Sequence, residues 1–126
     1  SRSSKNVLRG MHFQRNNPQG KIVKASRGEI LDVIVDLRKD SPTYGVWESF
    51  KLSEQNKLQV WIPPGFAHGF LVMSDSADFE YKCTEYYHPE DEHCLMWNDP
   101  EVAIDWPIND PILSEKDKQG LFLKDL

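Results

Sequence analysis

Apolar and polar positions along the chain alternate in short runs, each closed by residues that favour turns. Residues 21–26 turn at Arg27 and Gly28 into 29–37, which breaks over 38–45. Residues 46–52 break at 53–57, 58–62 at Pro63, Pro64 and Gly65, 68–73 at 74–78, and 79–87 at 88–92. Runs this short and closely spaced predict strands of a sandwich or small barrel, because βαβ units would need helical patterns between them. Only residues 113–126 read as helix, with Ser114 as a candidate N-cap and Gly120 as a stop. An all-β fold with a short C-terminal helical segment is therefore expected.

Side-chain parity adds direction, because alternate residues of a strand share a face. Phe79, Tyr81 and Cys83 point together, opposite Glu80 and Lys82, so Tyr81 is expected to face inward. In 29–37 both faces are partly apolar: Leu31, Val33, Val35 and Leu37 on one, Ile30 and Ile34 with Asp32 and Asp36 on the other. A strand that packs on one side and lines a cavity on the other has this pattern.

At 126 residues the chain suits a single domain able to bury a core without staples. Two cysteines without CxxC spacing, and no long apolar span, favour a cytoplasmic protein away from membranes. The net charge of −5 argues against a general nucleic-acid coat. It hides an asymmetry: residues 1–28 hold seven basic residues and no acid, while the remainder carries 8 basic against 20 acidic residues. An anion site in the N-terminal part is the hypothesis; lysines guarding a sheet edge are the plainer alternative.

Within that basic part, "NVLRGMHFQ" (6–14) sets Arg9 and His12 three residues apart inside an apolar run. Followed by "PQGKIVKASRGEILDVIVDLR", "SPTYG", "IPPGFAHGF", "YKCTEYY", "WNDPEVAIDWP" and "LSEKD" in that order, it resembles the dTDP-4-dehydrorhamnose 3,5-epimerases over almost the whole chain. "IPPGFAHGF" by itself looks like the second cupin motif. The resemblance implies a cupin jelly-roll barrel, usually a homodimer, that inverts two carbons of dTDP-4-dehydro-6-deoxyglucose without a cofactor. It also implies that residues 1–126 form a single cupin domain lacking an N-terminal segment found in family members.

The chemistry can be argued from the residues. A carbon beside a ketone loses its proton only if the enolate is stabilised, so an epimerase needs a base, an electrophile and an acid on the opposite face. His12 suits the base, since imidazole titrates near neutral pH and responds to a carboxylate on its other nitrogen. The resemblance places that partner at Asp117, although Ser114 with Asp117 also reads as a capping box. Lys21, beside Gly20, is the candidate electrophile and Tyr81 the candidate acid; a solvated lysine and a core tyrosine are the plainer readings. The guanidinium of Arg9 matches a diphosphate. By resemblance His68, Glu92 and Lys116 contact substrate. The chain has no H-x-H pair, and 88–94 ("HPEDEHC") lacks zinc-finger spacing, so no native metal is expected.

Overall fold

The computed structural model describes residues 1–126. Nine strands form two antiparallel sheets: β1 (Arg2–Ser4), β2 (Leu8–Gln14), β3 (Lys21–Arg27), β4 (Glu29–Asp36), β5 (Trp47–Ser53), β6 (Val60–Ile62), β7 (Phe66–Val72), β8 (Ser76–Cys83) and β9 (Glu92–Cys94). Their orders are β1-β8-β3-β6 and β5-β4-β7-β2-β9, the two-sheet barrel expected. No helix is long and apolar enough to cross a membrane.

The double-sided pattern of β4 explains the layering. Ile30 and Ile34 join Val23, Ile62, Phe70 and Phe79 in a core between the sheets. Val33 and Val35 join Leu8, Met11, Leu71, Trp106 and Leu123 in a second core, on the other face of the five-stranded sheet. Residues 95–126 cover that face. They are tied down by bridges Val7–Ile112 and Leu95–Leu121 and by Asp99, which accepts from the backbone of Glu101, Val102 and Leu123. Asp36 does similar work between β4 and β5, accepting from Arg38, Ser41 and Thr43.

Some boundaries differ from the sequence reading. The helical segment condenses to two 3-10 turns, Asp117–Gln119 and Leu123–Asp125. Between them Leu121 is drawn into its extended bridge with Leu95, and fragments this short cannot repay helix nucleation by themselves. The last sheet run is displaced: β8 begins at Ser76, and residues 84–87 leave the sheet. β1 and β9 are three-residue strands without a visible periodicity.

Candidate active site

An open end of the space between the sheets forms a cavity of about 710 Å3, a size suited to a small-molecule ligand. Arg9, His12, Lys21, His68, Tyr81, Glu92 and Lys116 all line it. The structure thus brings together every residue singled out above; Asp117 sits behind His12, almost fully buried.

The placement of Arg9 and His12 has a local cause. In a regular strand, residues three apart face opposite sides. The β2–β7 register advances from Arg9–Phe70 to His12–His68, three residues against two, so one extra residue is accommodated as a bulge. Both side chains then reach the cavity, while Met11 is buried on the far side. Gly10 makes this possible: its φ is +122°, and a Cβ there would lie 2.7 Å from the Gly69 Cα.

The same bulge anchors the carboxylate. The Gly10 N–H donates to Asp117 Oδ2 at 3.1 Å, and the Asp117 N–H donates to the Ser114 hydroxyl at 3.1 Å. The capping contact and the pairing with His12 therefore coexist. His12 Nε2 lies 2.6 Å from Asp117 Oδ1. Burial works to raise the Asp117 carboxyl, but the hydrogen bond and charge of His12, with the Gly10 and Ser114 contacts, hold it below the usual range. An ionised carboxylate only accepts, so Nε2 is the nitrogen that donates to Asp117, and in the neutral imidazole the lone pair falls on Nδ1. Nδ1 stands 3.7 Å from Glu92 Oε1.

Glu92 in turn meets Lys116 Nζ at 3.0 Å. Its carboxyl is pushed up by burial and, more strongly, down by hydrogen bonds from Tyr87 and Lys116 and by the charge of His12. Lys116 is raised, first by that bond. Across the cavity, burial lowers the Lys21 ammonium, opposed by Cys83, Glu92 and Asp32. Tyr81 stands on the same side as Lys21: Phe79, Tyr81 and Cys83 line the cavity as parity predicted, but Tyr81 is 57% exposed, at the rim instead of in the core. Phe79 bridges the rings of His68 and Tyr81, with centroids 5.8 and 5.6 Å away.

Sequence reasoning missed three contributors. Asp32, fully buried, lies 2.6 Å from His68 Nε2 through Oδ1, and Oδ2 has no protein partner; an acid on an apolar strand was the available signal. Tyr87, past the end of β8, reaches Glu92. Cys94 contacts Asp117 Oδ1 at 3.8 Å, and burial with the nearby carboxylate pushes its thiol up to about 12. His12, Cys94 and Asp117 are also a donor set able to hold a metal ion.

The family described as dTDP-4-dehydrorhamnose 3,5-epimerase matches residues 1–125. A protein of that name from Pseudomonas aeruginosa is 58% identical over 121 residues, covering 95% of this chain and 67% of the relative. The structure of dTDP-6-deoxy-D-glucose-3,5-epimerase from Legionella pneumophila, in complex with dTDP-4-keto-L-rhamnose, aligns with a TM-score of 0.95 at 54% identity, covering 98% of this chain and 66% of that one. A 3'-monoepimerase from Streptomyces bikiniensis, in complex with dTDP-quinovose, aligns with a TM-score of 0.92 at 34% identity, covering 98% and 64%. The chain spans about two thirds of the length of these three proteins.

Proposed function

Because the chain belongs to the dTDP-4-dehydrorhamnose 3,5-epimerase family, we propose that it inverts carbons 3 and 5 of dTDP-4-dehydro-6-deoxyglucose through enolates, without a cofactor, in dTDP-L-rhamnose biosynthesis. The observation that carries this reading is the 2.6 Å contact of His12 with buried Asp117, in one cavity with Lys21 and Tyr81. A binding protein has no need of a carboxylate-paired imidazole, an ammonium and a phenol around one sugar-sized space.

In this mechanism Asp117 holds the proton on His12 Nε2, and Nδ1 takes the proton from the carbon beside the ketone. The developing imidazolium is stabilised by Asp117 and Glu92. Lys21 compensates the charge on the enolate oxygen; in a half-dry cavity that attraction is stronger than in water. The Tyr81 hydroxyl returns a proton to the opposite face. Arg9 grips the diphosphate, and His68, Glu92 and Lys116 hold the sugar. Repetition at the second carbon completes the double inversion.

A second reading, inversion at one carbon, is favoured by the likeness to the Streptomyces 3'-monoepimerase. One assay tests both: the reaction is run in deuterated water with dTDP-4-dehydro-6-deoxyglucose, and label is located by NMR. Label at carbons 3 and 5 is expected, with His12→Asn slowing uptake at least about a hundredfold. Label at one carbon selects the second reading; no label overturns both.

We also propose a homodimer that docks through the outer face of the four-stranded sheet, where Ile22 and Trp61, register partners, are 43% and 52% exposed. Two free thiols support a cytoplasmic setting.

A further inference from the structure

Three donors far apart in sequence converge behind the cavity. One nitrogen of His12, the sulfur of Cys94 and one oxygen of Asp117 lie within 4.8 Å of one another. The β2–β9 pairing makes His12 and Cys94 direct register partners, and the turn at Asp117–Gln119 lays Asp117 across them. The sulfur is 3.8 Å from Oδ1, and Nε2 is 2.6 Å from that oxygen. Around a tetrahedral zinc ion, with bonds of about 2.0–2.3 Å, neighbouring ligand atoms stand roughly 3.3–3.8 Å apart. The sulfur–oxygen edge already fits, and the His12–Asp117 edge must open by about 0.7 Å.

We propose that His12, Cys94 and Asp117 form a binding site for a borderline divalent transition cation of the Zn2+ type, and that the bound ion inhibits by capturing the base. An imidazole, a thiolate and a carboxylate suit Zn2+ or Co2+ and are a poor set for Mg2+ or Ca2+, which need more oxygens. The ion is an inhibitor here and not a cofactor. The two histidines of 88–94 do not join it: His88 faces Glu85 and Glu90, and His93 Nδ1 is held by the Asp91 carbonyl.

Binding conserves atoms and charge. Bonds form from the metal to Nε2, Sγ and Oδ1; the thiol proton leaves to solvent; the imidazole proton moves from Nε2 to Nδ1; nothing is oxidised. Nδ1, now protonated, cannot accept a proton from the substrate carbon. This inhibitory half rests on the reading of His12 as base, whereas the site itself does not.

The test separates the two. Protein stripped with a chelator is titrated with Co2+, watching the near-ultraviolet cobalt–thiolate charge-transfer band. A saturable band is expected in wild type and in Cys83→Ser, and its loss in Cys94→Ser. In parallel, micromolar Zn2+ should lower kcat for deuterium uptake roughly tenfold or more, with KM unchanged and reversal by chelator, while Mg2+ does nothing. Absence of the band in wild type overturns the site, as does a band that Cys83→Ser removes; both hold even if Cys94→Ser fails to fold. A band without inhibition overturns the capture of the base and counts against His12 in the mechanism.

Discussion

In the proposed mechanism His12, Lys21 and Tyr81 divide the work by environment. His12 is oriented from behind by Asp117; Lys21 is dried by burial; Tyr81 stands exposed at the rim, where its hydroxyl can exchange protons with water. Under that mechanism Tyr81→Phe removes the acid and little else. Its stability cost should be about 0.5 kcal/mol or less. Label uptake from deuterated water should continue, because His12 and Lys21 still form the enolate, while doubly inverted product falls sharply. Inverted product at the wild-type rate would remove Tyr81 from the mechanism. Lys21 sets a pH dependence. In the proposed mechanism it acts as a cation, and burial lowers its pKa, so the ammonium is lost at a lower pH than for a free lysine, near 10.4. The alkaline limb of kcat should fall below that value, and a limb at or above it would contradict a partly dry Lys21.

At the scale of elements, β2 is the decisive segment. Its bulge turns Arg9 and His12 to one cavity and frees the Gly10 N–H for Asp117. Gly10→Ala sets a Cβ at a φ of +122° against the Gly69 backbone and the His68 carbonyl, 2.7 and 2.8 Å away. We expect a loss of about 3 kcal/mol or more, measured by denaturant unfolding, and an even larger relative loss of kcat, since Asp117 loses its anchor. Near-normal stability would show that β2 can relax without the bulge. The sequence exposed Arg9 and His12 as anomalies in an apolar run, but not how residues three apart share a side. The bulge belongs to the pairing of β2 with β7, and no local propensity encodes it.

At the scale of the molecule, the outer face of the four-stranded sheet exposes Ile22 and Trp61 beside Lys82, while the opposite face of the other sheet is covered by residues 95–126. A charge on the exposed face tests the dimer: Trp61→Glu, on edge strand β6, should shift sedimentation from dimer to monomer with the fold retained by circular dichroism. A wild-type monomer at micromolar concentration would refute the assembly. The uneven charge has a structural counterpart. Arg9 and Lys21, from the basic N-terminal part, reach the cavity, and the acids whose charge acts on Lys21, Glu92 and Asp32, come from the acidic remainder.

Periodicity alone determined the all-β class and the two-faced character of β4, because alternation reports directly which side of a strand is buried. It also determined which side of β8 Tyr81 takes. The candidate residues were legible for another reason: the order of motifs carried the resemblance, and polar groups in apolar runs stand out. The resemblance offered Asp117 as the partner of His12 and the tertiary structure shows the contact; only the tertiary structure decided that Asp32 stands behind His68 and that Cys94 completes a donor trio. These contacts join residues 105, 36 and 23 positions apart. Such pairings arise from how the sheets stack and where the C-terminal turn docks, and a local pattern holds no information about either.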